Sequence, residues 1–225
     1  MKKIMLGLFL MVGVFFVVFA SQAVFAQQLQ GQITVKNIEA KLVRPPQYTI
    51  RNPDGDQIIA EGIRVMENQS SDRKWLIIEV ELESKPEWAD EVQLRFYVGV
   101  KYAPTIKMVP PGSYDVLTAS VTVVNVQKST GNVRKILVPV FLDADTVKKY
   151  GGTSIDRFIP EIAVQVSYKG FIDTKWWKNA QQNGRFWEQK QPISGVLLNL
   201  TQSPWAPAFN EYYQQVKPSG PPAGF

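Results

Sequence analysis

The sequence predicts a mainly β chain folded as an antiparallel sandwich with short capping helices, and three observations carry that reading. Apolar residues recur at spacing two in six or seven separate runs, the signature of strands with one face in a core. Stretches rich in Pro, Gly, Asn and Asp separate the runs and supply the turns such a fold needs. No cysteine occurs in the 225 residues, so the fold rests on burial of apolar surface, for which roughly 200 residues suffice.

The chain opens with Lys2 and Lys3, an apolar run from Ile4 to Ala20, and Ser21-Gln22-Ala23-Val24-Phe25-Ala26. Charge, apolar stretch and small residues in that order define a secretory signal cut after Ala26, with a cut after Ala20 or an uncleaved anchor as the alternatives. The first acidic residue is Glu39, which argues against a pilin-type N-terminus, and no cysteine is present to take a lipid. An exported protein of the periplasm or outer envelope is expected, with residues 27–217 as one sandwich domain carrying an aromatic-rich C-terminal arm. Residues 218–225, with three prolines and two glycines, are expected to form a flexible, disordered tail.

Each element has its own pattern. Ile33, Val35, Ile38, Ala40 and Leu42 mark a first strand that Pro45-Pro46 stops. Asn52-Pro53-Asp54-Gly55-Asp56 reads as a hairpin tip between Tyr48–Arg51 and Gln57–Ala60; Asp54 and Asp56 lack the remaining ligands of a calcium loop. In Trp75–Glu83, Leu76, Ile78, Val80 and Leu82 point one way and Ile77, Glu79, Glu81 and Glu83 the other. Val92, Leu94, Phe96, Val98 and Val100 repeat the pattern. Antiparallel pairing of these two runs would set the glutamates against Arg95 and Lys101.

Tyr114–Gln127 and Val133–Leu142 are expected as a second hairpin across Lys128-Ser129-Thr130-Gly131-Asn132. The later strand is apolar on both faces, and Pro139, which has no N–H for a ladder, places it at an edge. Such an edge invites cover by a partner or by the C-terminal arm. Asp143 is placed to cap a short helix through Tyr150, with Lys148 and Lys149 at its C-terminal end and Gly151-Gly152 after it. Ile162, Val164, Val166 and Tyr168 define another half-buried strand. Two further helices are expected, over Lys175–Asn183 after Thr174 and over Ala208–Val216.

Composition removes most catalytic chemistry. Without cysteine or histidine there is no thiol nucleophile, no imidazole base, and no zinc or haem site built from those ligands. Loss of residues 1–26 takes two lysines and no acid from 25 basic and 20 acidic residues, so the mature chain carries a net charge of about +3, too mild and too dispersed for nucleic acid. The acidic residues read as caps, turns and an exposed stripe. No catalytic residue, metal site or cofactor is expected.

The segments Val35-Lys36-Asn37-Ile38-Glu39-Ala40-Lys41-Leu42, Lys74-Trp75-Leu76-Ile77-Ile78-Glu79-Val80-Glu81, Asp90-Glu91-Val92-Gln93-Leu94-Arg95-Phe96-Tyr97-Val98 and Val121-Thr122-Val123-Val124-Asn125-Val126 occur in this order. With Asp143–Gly151 and Trp176-Trp177, the chain from about Lys36 to Trp177 resembles the verrucomicrobial pilus-like proteins encoded beside type IV pilus machinery. The resemblance implies an immunoglobulin-like sandwich, export to the envelope and association with pilus assembly, without an active site to transfer.

These readings lead to a non-enzymatic envelope protein, accessory or structural, acting by protein contacts with pilus or secretion machinery. Self-association is a second kind of contact left open. The candidate interaction surface comprises Leu137 and Phe141 on the apolar strand and Trp176, Trp177, Phe186 and Trp187 at the aromatic end. The alternative is a carbohydrate-binding module, because four of the six tryptophans fall between Trp176 and Trp205 among Asn and Gln, and an exposed indole stacks on sugars as readily as it anchors a protein.

Overall fold

A computed structural model describes residues 32–45, 50–51, 57–58, 74–102, 109–110, 113–129, 135–151, 154–177, 184–206 and 213–217. In chain order the strands are β1 (Ile33–Val43), β2 (Ile50–Arg51), β3 (Gln57–Ile58), β4 (Trp75–Ser84), β5 (Trp88–Lys101), β6 (Tyr114–Gln127), β7 (Ile136–Leu142), β8 (Glu161–Tyr168), β9 (Phe171–Trp176), β10 (Ile193–Ser194) and β11 (Leu198–Asn199). Two short helices, α1 (Ala144–Lys149) and α2 (Ile155–Phe158), lie between β7 and β8. One sheet has the order β1-β4-β7-β11 and the other β10-β6-β5-β8-β9; β2 and β3 form a separate pair. Every ladder is antiparallel except β10 on β6. The protein is thus mainly β and a sandwich.

The period-two pattern puts the core between the sheets. Leu76, Ile78, Val80 and Leu82 of β4 and Val92, Leu94, Phe96, Val98 and Val100 of β5 are almost fully buried, as are Ile162, Val164 and Val166 of β8. Each such side chain contributes about 1.5–3 kcal/mol relative to leaving it exposed. Asn125 takes φ 57°, and past it the buried face of β6 passes from Val121 and Val123 to Val126. Asn enters this left-handed region more readily than most residues.

α1 forms as its capping residues dictate. Asp143 Oδ1 accepts from the N–H groups of Asp145 and Thr146, each at 3.0 Å. Lys148 and Lys149 occupy the last turn, and Gly151 leaves with φ 79°. The ladder Ile50–Ile58 and Arg51–Gln57 brings together the flanks of the expected hairpin tip, while positions 52–56, 1–31 and 218–225, the last two holding the expected leader and tail, lie outside the described residues.

Several expected pairings are corrected. β4 and β5 are not neighbours but lie in opposite sheets. The backbone at the end of β4 is satisfied elsewhere: Ser84 N–H donates to Ser129 Oγ at 2.9 Å, and Lys85 N–H donates to the Gln32 carbonyl at 2.8 Å. Glu81 therefore meets Lys36 at 2.9 Å and Lys135 at 3.8 Å, and Glu79 meets Lys41, rather than Arg95 and Lys101. Nor do β6 and β7 form a hairpin; β6 pairs with β5 and β7 with β4, so the link between them crosses from sheet to sheet. The apolar character of both β7 faces suits a strand covered on both sides.

β7 is not a free edge. It lies between β4 and β11, and beyond the short β11 ladder the Leu137 carbonyl accepts from Gln214 N–H of the C-terminal arm at 2.9 Å. Leu137, Pro139 and Phe141 turn their backbone groups to that side, so Pro139 falls between two covered positions where no donor is required. Lys175 and Trp176 belong to β9 instead of a helix; positions 178–183 lie outside the described residues. Tyr213–Lys217 is also extended rather than helical. It runs along β6 through Val124 N–H to Gln215 O at 3.0 Å and Lys217 N–H to Thr122 O at 2.8 Å, while positions 207–212 lie outside the described residues.

Candidate interaction site

The aromatic end is built on the outer face of the five-stranded sheet. β5 brings Tyr97, β6 Val116 and β8 Ala163 to that face, where Trp176 of β9 packs with them. A single 3₁₀ turn, Phe186–Glu188, lays two rings on this platform. Trp187 stacks on Tyr97 at 4.6 Å between centroids and 13° between planes, and on Trp176 at 5.0 Å and 29°. Phe186 meets Trp187 edge-on at 5.2 Å and 80°. Phe186 and Trp187 are buried and Trp176 is half-buried. Trp177 packs instead against the main core, and its N–H donates to the Ile162 carbonyl at 2.9 Å.

The other candidates sit on the opposite sheet. Phe141 is fully buried and stacks on Trp205 at 5.0 Å and 15°, and Trp205 meets Trp75 edge-on at 5.4 Å and 74°. Leu137 is half-buried beneath the arm. Tyr213, also of the arm, donates to Glu79, whose other carboxylate oxygen takes Lys41. The structure therefore divides the six candidates into two groups on separate sheets, and uses most of them to hold the 3₁₀ turn and the arm in place.

Beside the stack lies a cleft of about 450 Å³ lined by Gly99, Lys101, Tyr114, Pro160, Glu161, Phe186 and Gln189. Lys190 Nζ lies 4.2 Å from the Tyr114 ring centroid and donates to the Tyr114 carbonyl at 2.5 Å. The next residue, Asp115, accepts on one oxygen from the hydroxyls of Tyr102 at 2.5 Å and Tyr150 at 2.9 Å. The hydrogen bond to Asp115 is the main cause holding the Tyr102 phenol protonated above its usual range; burial first, then Asp115, pushes Tyr150 up much further. This cluster ties α1 to the sheet and was invisible in the sequence, because its members are far apart in the chain. Among the described residues no three carboxylates gather in a metal-binding group, and no helix is long and apolar enough to cross a membrane.

Sequence reasoning also missed the open edge of β9. Tyr168-Lys169-Gly170-Phe171 turns β8 into β9 through two residues of positive φ, Lys169 at 48° and Gly170 at 83°, the conformation of a tight hairpin. The signal was Gly170 between two β-prone runs. β9 ends its sheet, and among the described residues no strand pairs with its outer side, although β1 of the other sheet packs close to it. Ile172 on this strand is 66% exposed.

Fold and surface together define a β-sandwich whose larger sheet is covered by its own aromatic side chains and, among the described residues, ends in β9 without a further paired strand. A protein-family model matches residues 25–219, and the chain belongs to the family that this model describes. The crystal structure of a protein from Akkermansia muciniphila, a verrucomicrobial protein, superposes with a TM-score of 0.60 at 17% identity, covering 84% of this chain and 94% of that one. At that identity the likeness concerns the fold. No curated protein matches the chain significantly.

Proposed function

We propose that this is an exported, non-enzymatic envelope protein, accessory to type IV pilus or secretion machinery, that works through sheet-edge protein contacts. The outer edge of β9 is the observation that carries this reading: Ile172 is displayed to solvent on a strand that, among the described residues, has no paired neighbour on its outer side, an arrangement suited to adding a strand. The pilus-like resemblance of the chain between Lys36 and Trp177 supports the choice of machinery, and the leader pattern supports export. Two carboxylates of the sandwich have structural partners, buried Glu79 in Lys41 and Tyr213 and half-buried Asp115 in two tyrosines, in keeping with a binding role.

In-cell cross-linking of a C-terminally tagged chain, followed by mass spectrometry, tests the proposal. The expected result is capture of pilus or secretin components, lost on Ile172→Lys. Capture of no machinery would sink the accessory role. A second reading, carbohydrate binding, draws on the cleft, where Lys101, Glu161 and Gln189 offer polar groups beside Tyr114 and Phe186. Its test is titration with envelope and host glycans, with Gln189→Ala expected to abolish any binding; an unchanged titration would dismiss the cleft.

A further inference from the structure

We infer that the edge of β9 pairs with the same edge of a second copy, in an antiparallel register centred on Thr174. The inference rests on the sheet-edge reading above and names a second copy of this chain as the strand the edge receives, with the machinery meeting the resulting dimer. β9 pairs with β8 without a break in register, from Tyr168 with Phe171 to Ala163 with Trp176. Because Trp177 N–H donates to Ile162 O, the alternation of an antiparallel ladder turns the backbone groups of Phe171, Asp173 and Lys175 toward β8. Those of Ile172, Thr174 and Trp176 therefore point outward, where a second strand would take them.

A two-fold axis at Thr174 sets Thr174 against its own copy and Ile172 against Trp176 of the second copy, so all the outward groups pair at once. On the other face the same register places Asp173 opposite Lys175 of the second copy, and does so twice by symmetry. Neither side chain has an ion pair among the described residues. Shifting the axis to Asp173 would oppose two aspartates, and shifting it to Lys175 would oppose two lysines. Like charges directly opposite destabilise a ladder, whereas opposite charges favour it. Charge complementarity thus selects the Thr174 register over its two neighbours, and it is also the register that pairs all three outward residues at once.

The other open edge is less suited. β1 ends its own sheet, but its register breaks between Val35 and Asn37, and Lys36 is exposed at that irregularity. A bulge and an edge lysine are features that discourage pairing. β9 also carries an exposed lysine, Lys175, but its ladder has no bulge and Asp173 stands two residues away to take that charge across the seam. Its pairing would join two five-stranded sheets into one continuous sheet, a closed isologous dimer.

The test uses protein produced from the full chain and purified after export, with sedimentation equilibrium as the first readout. A reversible dimer is expected. Asp173→Lys and Lys175→Asp should each weaken it by about tenfold or more, and the double variant, which exchanges the charges, should restore it. As the chain has no cysteine, Thr174→Cys introduces a single thiol. Paired Cα atoms about 5.5 Å apart lie within disulfide reach, so mild oxidation should link the copies. Ile172→Cys should not link, because its copy would sit about 14 Å away at roughly 3.4 Å per residue.

A monomer at all concentrations, or a dimer indifferent to both charge reversals with no link through position 174, overturns the inference. The two proposals fail separately. Loss of the dimer with capture of machinery retained would remove self-pairing alone. A Thr174-linked dimer that captures no machinery would keep the pairing and remove the accessory role.

Discussion

Trp187→Ala separates a packed indole from a displayed one. Trp187 is 7% exposed and lies between Tyr97 and Trp176, with Phe186 at its edge. Truncation of a buried Trp costs about 3–5 kcal/mol. The lower end applies, since the ring sits on the outer face of the sheet beneath a single 3₁₀ turn, where the neighbours can partly collapse. The two stacked contacts account for about 0.5–1.5 kcal/mol each of that loss, with burial supplying the rest. For a domain of this size about 3 kcal/mol corresponds to a fall in Tm of about 6–12 °C. Urea unfolding with the midpoint and slope fitted separately is the assay. Trp88→Ala is the control: Trp88 is 47% exposed and its Nε1 donates to Asp90 at 2.8 Å, so its loss should stay within about 0.5 kcal/mol. A Trp187→Ala protein less than about 1 kcal/mol below the parent would refute the packing argument and return the ring to the list of binding groups.

Tyr213→Phe should cost about 1.5–3 kcal/mol, as befits a hydrogen bond to a charged group, and should expose the C-terminal arm to limited proteolysis before global unfolding. Gly170→Ala places a Cβ at φ 83° with open space around it, so the strain is conformational. About 1–2 kcal/mol is expected, with faster hydrogen exchange in β9 than in β5 as the local signature. Tyr150 provides a pH test. Its folded-state pKa is raised by burial and by Asp115, so its contribution to stability is complete below the unfolded value of about 10 and is lost as pH rises through the folded value. Tyr150→Phe should remove part of the alkaline fall in stability measured by urea unfolding from pH 9 upward; an unchanged slope would contradict the Asp115 cluster.

Period-two runs identified β1, β4, β5 and β8 because a side chain's face follows directly from its position in the chain, whereas β9 is expected in part as a helix and the two-residue β10 and β11 are too short to show a period. Which strand pairs with which was less legible. β4 and β5 share the same alternation and a short connection, yet alternation cannot say whether the link turns within a sheet or crosses between sheets. The glutamates of β4 looked solvated because only its core-facing residues were visible as a set. Glu79 is buried because Tyr213, more than a hundred residues later, comes back over it. Likewise β7 looks like an edge from Pro139, while positions 213–216 of the arm that covers it fall at the end of the helix expected over Ala208–Val216, and only those positions of it are described. Helical spacing over so few residues yields easily to a strand that gains backbone hydrogen bonds along β6.

The aromatic residues follow the same logic. A tryptophan cluster signals a large apolar area to be buried but not what buries it. Here Phe186 and Trp187 fold back on Tyr97 and Trp176, which lets the five-stranded sheet be apolar on both faces in its middle. That use of the rings leaves the strand edges as the surfaces through which backbone can be recognised. An edge of six residues offers few hydrogen bonds and little area, so affinity must come from register and from the side chains on either face. On β9 those are Ile172 and Trp176 on one face and Asp173 and Lys175 on the other, an arrangement in which a one-residue shift of the symmetry axis exchanges two attractions for a repulsion. Specificity at such an edge therefore resides in the order of two charges, which is why exchanging them together should preserve pairing and reversing either alone should not.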